Sequence, residues 1–315
     1  MDIILHVGAH RAASTSFQRY LKVNAAALAA QRTRAWGPQR TRAGLLRGVM
    51  PLPDGGAPAD QLARARGRVA LACAASARAG LARVIVSDEN MLGAPRTALR
   101  QERLYADAGQ RMARFASVFD GRPLRVALVI RSLEWWWASV LGYALMRGHR
   151  LPDTAMLDRL VTQPRSWRDV VADLAAAWPG TEIAVLPFER VAGRPDLLLG
   201  QVTGGAVTPP LSGREGWHNR TPSLDGLRAV LAAQGRDPSA LPGGEGRWMP
   251  FDTSQRAALL ETYADDLFWL RAGADGLARL FDEEPGPTRA GQPPGGPQDR
   301  GHSDDRQEGD MVGTG

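Results

Sequence analysis

Residues 3–21, Ile3-Ile4-Leu5-His6-Val7-Gly8-Ala9-His10-Arg11-Ala12-Ala13-Ser14-Thr15-Ser16-Phe17-Gln18-Arg19-Tyr20-Leu21, decide how the rest of the chain is read. The apolar run Ile3–Val7 has the character of a buried strand. Gly8 to Ala13 form a tight turn of small residues around a cation, and Ser14 opens a helical pattern. Amides at a helix N-terminus lack intrahelical partners and point into such a turn. The helix dipole adds partial positive charge there. Arg11 adds a full charge, and Ser14, Thr15 and Ser16 add hydroxyl donors. Together they predict an anion site for phosphate or a related group.

The loop departs from the G-x-x-x-x-G-K-[ST] pattern that serves nucleoside triphosphates with magnesium. Gly8 is followed by Ala13-Ser14, and the single lysine of the chain, Lys22, lies outside the turn. The order of a basic residue, a small residue and a hydroxyl pair instead resembles the 5′-phosphosulfate loop of sulfotransferases that use 3′-phosphoadenosine 5′-phosphosulfate (PAPS). That loop typically reads Pro-Lys-Ser/Thr-Gly-Thr-Thr. His10 stands for Pro, Arg11 for Lys, Ala13 for Gly and Ser14-Thr15 for the hydroxyl pair.

A second motif bears on the same reading. Leu124–Ile130 is a near-continuous apolar run, as expected of a central parallel strand, and it ends at Arg131. Ser139 follows eight residues later within a helical pattern. In the sulfotransferase family an Arg just after a strand and a Ser eight residues on bind the 3′-phosphate of the donor. A guanidinium fork suits phosphate, and a hydroxyl adds one more donor. An Arg ending a strand is also an ordinary solvated cap, so the two motifs carry weight only jointly, in the family's order.

The resemblance implies a three-layer α/β fold related to the P-loop nucleoside triphosphate hydrolases, with a central, mostly parallel sheet and helices on both faces. It implies transfer of a sulfuryl group from PAPS to a hydroxyl, or an amine, of a glycan or small molecule. It assigns the donor to Arg11, Ala12, Ala13, Ser14, Thr15, Ser16, Arg131 and Ser139, with Arg11 also stabilising charge during transfer. It places a base near the end of the strand before the 3′-phosphate strand. Strand Arg83–Ser87 runs into Asp88-Glu89, so Glu89 is the first candidate and Asp88 the second. A loop-fixing or helix-capping acid is the alternative reading of both. His6 in the strand and His10 in the turn are further candidates, read as core and loop-ordering residues. No metal is expected. A non-catalytic homologue that binds PAPS or its product PAP is the main alternative function, and a small-molecule kinase with a degenerate phosphate loop the lesser one.

Composition narrows the partners. Residues 284–315 are rich in Gly, Pro, Asp and Gln and nearly free of apolar side chains, the signature of a disordered tail. They hold six acids and three arginines, which leaves about +9 of formal charge on residues 1–283, read as one α/β domain. A basic body suits an anionic nucleotide. The arginines are dispersed, which argues against nucleic acid as the partner. The lone Cys73 reads as a buried thiol, and no Cys/His cluster suggests zinc. No apolar run approaches the ~20 residues of a membrane span, and the N-terminus lacks a signal-peptide pattern. A cytoplasmic protein without stable membrane insertion is expected.

Strands are expected at 2–7, 82–87, 124–130 and 182–187. Helices are expected at 14–30, 60–80, 98–116, 132–147, 167–178, 222–233 and 254–280. Their alternation predicts the parallel sheet. Residues 51–56 read as a loop, as does Thr203–Trp217, which could lie over the site. Thr221 reads as the cap of the helix at 222–233. Trp135, Trp136 and Trp137 point about 100° apart on a helix, so at most two can face one core. Tyr263–Leu270 has helical spacing and resembles the closing helix of bacterial sulfotransferase-like proteins.

Overall fold

The alternation of apolar strand runs with helical stretches produces a parallel sheet sandwiched between helices. The computed structural model describes residues 1–50, 59–120, 123–214 and 221–282. Among these, β1 (Asp2–His6), β2 (Thr33–Trp36), β3 (Arg83–Ser87), β4 (Pro123–Ile130), β5 (Glu182–Pro187) and β6 (Arg279–Leu280) form one sheet. Its order is β2-β3-β1-β4-β5-β6, and every pairing is parallel. The chain fills one side of β1 with β3 and β2, then crosses to build β4, β5 and β6 on the other. The crevice beyond the carboxyl ends of β1 and β4 is therefore a topological switch point, where parallel sheets bind ligands. The interiors of β1, β3, β4 and β5 are buried, which explains their continuous apolar runs.

β2 and β6 were not expected. β2 is only Thr33-Arg34-Ala35-Trp36, an edge strand with an exposed Arg, and β6 is two residues long. Neither carries an apolar run to announce it.

The helices are α1 (Ser14–Val23), α2 (Ala25–Ala30), α3 (Pro38–Arg40), α4 (Ala59–Arg78), α5 (Pro95–Gln101), α6 (Ala108–Phe119) and α7 (Leu133–Leu145). They continue as α8 (Thr154–Thr162), α9 (Trp167–Ala177), α10 (Phe188–Val191), α11 (Pro195–Val202), α12 (Leu224–Ala233) and α13 (Thr253–Arg271). Several expected boundaries are corrected. The helix expected at 14–30 breaks at Asn24, whose amide donates to the carbonyls of Tyr20 and Ser212. The helix expected at 98–116 is two helices, because Glu102 and Tyr105 take left-handed backbone angles of φ 49° and 45°. The helix expected at 254–280 stops at Arg271, and Gly273 turns the chain at φ 100° toward β6. α8 and α11 were not anticipated.

The Thr203–Trp217 stretch is also corrected over its described part. Gln31 donates to the carbonyl of Thr208, Tyr20 to that of Pro210 and Asn24 to that of Ser212, so residues 203–214 are fastened to α1 and α2. None of them lines the cleft described below. The loop at 51–56, residues 215–217 and the expected tail at 284–315 lie outside the described residues. Cys73 is buried on α4. Among the described residues no helix is long and apolar enough to cross a membrane.

Candidate functional site

β1 continues past its last ladder residue into the turn. Val7 and Ala9 donate to the carbonyls of Ala127 and Val129 at 3.0 and 2.9 Å, and Val129 donates to that of Gly8 at 2.6 Å. Gly8 has φ 117°, and a Cβ there would come within 3.0 Å of Glu89 Cβ, so the position demands glycine. Arg11 and Ala13 also take left-handed angles, φ 61° and 65°. Non-glycine residues hold such angles at a cost of about 1 kcal/mol or more. The surroundings enforce them. Ser14 Oγ donates to the Ala9 carbonyl at 2.9 Å, and Trp136 Nε1 donates to that of His10 at 2.9 Å.

His10 is the pivot of the turn. Its amide donates to Tyr105 Oη at 2.9 Å, its Nδ1 lies 3.0 Å from the same hydroxyl, and its Nε2 lies 3.0 Å from Asn90 Oδ1. The network closes if Nε2 carries the proton and Nδ1 accepts from Tyr105. Burial lowers the His10 pKa and so favours the neutral ring, against the opposing pull of Glu89. His6 is fully buried, its Nδ1 lies 2.8 Å from Ser87 Oγ, and burial lowers its pKa to about 4. Both histidines hold structure.

Arg11, Arg131 and Ser139 meet. Arg11 Nε donates to Ser139 Oγ at 3.0 Å across 128 residues of chain, and its Nη2 donates to Thr221 Oγ1 at 2.9 Å. Ser139 and Thr221 share a hydrogen bond of 2.9 Å. Arg131 Nη1 donates to the Arg11 carbonyl at 2.8 Å. The Arg131 carbonyl accepts from Trp167 Nε1 at 2.7 Å, and its guanidinium lies 4.6 Å from the Phe188 ring centroid. Burial, then the charges of Arg247 and Arg11, bring the Arg131 pKa down to about 10; burial also lowers that of Arg11. Guanidinium groups of this kind are chemically able to bind an anion. Among the described ion pairs, none involves Arg11, Arg96, Arg131, Arg147 or Arg247.

The two carboxylates after β3 part company. Asp88 is 3% exposed and does not line the cleft. It accepts from Thr41 Oγ1, from Arg42 and from the Asn90 amide, and so ties the π-helical turn Thr41–Leu45 to the 3₁₀ turn Glu89–Met91. Glu89 does line the cleft. It accepts from Gln18 Nε2 at 2.6 Å and Arg42 Nη2 at 3.1 Å. Burial pushes its pKa up, but His10, its own amide, Gln18 and Arg42 outweigh that and hold it below 4.5.

These groups open into one cleft of about 530 Å³. Arg11, Ala13, Ser14, Thr15, Ser16, Arg131 and Ser139 line it, while Ala12 is buried beneath the turn. α7 forms one wall. Trp135, Ser139, Tyr143 and Arg147 recur every fourth residue and all face the cleft. Trp136 and Trp137 point into the core instead, fully buried. Sequence reasoning missed Thr221, Tyr143, Arg96, Arg147 and Arg247. The four-residue spacing from Ser139 to Tyr143 and Arg147 was a usable signal. Thr221 was expected to cap α12, but Ser223 does so by accepting from the Gly226 amide. Six arginines line the cleft, and among its described lining residues Glu89 is the one carboxylate.

No protein-family model, curated protein or solved structure matches the chain.

Proposed function

We propose that the chain is a PAPS-dependent sulfotransferase, with a sheet of the sulfotransferase type within the P-loop nucleoside triphosphate hydrolase-like folds. One observation carries the reading: Arg11, Arg131 and Ser139 converge in a single cleft at the carboxyl ends of β1 and β4. The residues present fit the donor. Arg131 and Ser139 would hold the 3′-phosphate. The turn Arg11–Ser16, with the dipole of α1, would hold the 5′-phosphosulfate. PAPS supplies the sulfuryl group.

Glu89 takes the proton from the acceptor hydroxyl, whose oxygen forms the new bond to sulfur. The bond from sulfur to the bridging oxygen breaks, and PAP leaves with the electron pair. Arg11 stabilises the charge growing on that oxygen by charge and hydrogen bonding alone, because arginine does not release its proton. Preorganised donors at developing charge are commonly the largest catalytic contribution.

The test is transfer of radiolabel from PAPS to a panel of glycans and small alcohols. Labelled product from wild type, but not from Glu89→Gln, is expected. The present bonding of Arg11 to Ser139 and Thr221, rather than to an open cleft, favours a second reading. On that reading the chain binds PAP without turnover. PAP binding with no transfer to any acceptor would select it.

A further inference from the structure

The described lining of the cleft carries six arginines and one carboxylate, and not all of these cations stand at the donor end. Trp135 and Tyr143 are eight residues apart on α7, about 12 Å along its axis. Arg131 precedes the first turn of this helix and Arg147 follows its last. Arg11 and Ser139 stand near the middle. Beyond them, away from Arg131, α7 brings Tyr143, and just past its end Arg147 and His149, to the lining of the cleft, to which α5 adds Arg96.

Arg147 and Arg11 lie 4.6 and 5.1 Å from the centroid of the same Tyr143 ring, so the aromatic face lines two cations up along the wall. Arg96 and Arg147 are exposed, and neither enters an ion pair among the described residues. Arg42, which also lines the cleft, is already paired with Asp88 and Glu89. Glu89 lines the same cleft, and on this reading it meets the acceptor hydroxyl there.

Resting on the sulfotransferase reading, we infer that the acceptor is itself an anion, whose carboxylate or sulfate groups are held by Arg96, Arg147 and His149. A neutral acceptor would leave Arg96 and Arg147 with no oxyanion of their own, since neither enters an ion pair among the described residues. An acidic one supplies that counter-charge and is guided in by their field. Guanidinium forks match both oxyanions, so carboxylate and sulfate are two sources of one recognition chemistry.

The experiment measures equilibrium binding of three hexasaccharides: chitohexaose (neutral), hyaluronan (carboxylate) and chondroitin sulfate (carboxylate and sulfate). The small-molecule pair 4-hydroxybenzoate and 4-hydroxybenzamide extends it. Each is bound to the full chain with and without saturating PAP, for wild type and for Arg96→Ala/Arg147→Ala. In at least one series the charged member should bind at least tenfold tighter than its neutral counterpart. That preference should fall to under threefold in the double variant, whose PAP affinity stays unchanged. The two anionic hexasaccharides show which oxyanion is preferred. Equal binding of neutral and charged members, absence of binding by any charged probe, or a preference that survives the double substitution would overturn the inference. Failure of PAP to bind wild type would strike the donor reading alone, since the anion preference is still read from the protein without PAP.

Discussion

Arg131 and Arg147 flank the same helix but are held in opposite ways. Arg131 is 7% exposed, its carbonyl is fixed by Trp167, and Glu189 accepts the next amide in the chain while also accepting from Tyr263 of α13. Asp266 of α13 accepts the Trp167 amide, so α13 anchors this end twice. Arg147 is exposed, touches Tyr143 and has no such scaffold. A buried, over-determined cation recognises one group in one geometry. An exposed one tolerates several. On the proposed function, the Arg131 end would suit a constant nucleotide and the Arg147 end a variable acidic acceptor.

Removing Arg11 should produce the largest functional loss. Arg11→Ala is expected to lower kcat by roughly 100- to 1,000-fold, the usual cost of one preorganised donor, with a smaller effect on PAP affinity. Equal loss of donor affinity with kcat unchanged would move Arg11 from the transition state to ground-state binding.

Acid should loosen the donor end, because His6 and His10 support it in neutral form. Their folded-state pKa values lie below the ordinary 6.5, His6 at about 4. Their contribution is complete above pH 6.5 and is lost as pH falls through the lowered values. For His6 alone the shift corresponds to about 3 kcal/mol. Glu89, also depressed, adds to the loss only below 4.5. Urea unfolding at pH 7 and pH 4 checks this, and equal stability at the two would contradict it.

A smaller effect is expected from Gly142→Ala. A Cβ there would come within 2.6 Å of Thr221 Cγ2, so Thr221 must leave Arg11 and Ser139. Alanine improves the helix by up to about 1 kcal/mol, so PAP affinity should fall a few-fold while thermal stability holds. Unchanged affinity would show that Thr221 adds nothing to donor binding.

The parallel sheet and the meeting of Arg11 with Arg131 and Ser139 were legible because each rests on a local pattern, a buried strand run followed by a polar turn. β2 and β6 were not, since short edge strands need no apolar run. The break between α5 and α6 arises because the chain turns to send Tyr105 to His10, a contact 95 residues away that no periodicity encodes. Asp88 and Glu89 are adjacent and chemically alike in sequence. Only Arg42 and Thr41, brought in by a separate turn, make one structural and leave the other facing the cleft.

The central claim is that Arg131 recognises a 3′-phosphate. Thermal unfolding of wild type and Arg131→Ala with PAP, AMP and ATP–magnesium tests it most directly. PAP at one hundred times its Kd should stabilise wild type by about 2.7 kcal/mol. At the same concentration it should leave Arg131→Ala nearly unaffected, because losing a buried charged partner costs about 2–5 kcal/mol of binding. AMP, which lacks the 3′-phosphate, should have little effect on either protein. Stabilisation by ATP–magnesium alone, or equal stabilisation of both proteins by PAP, would contradict the account.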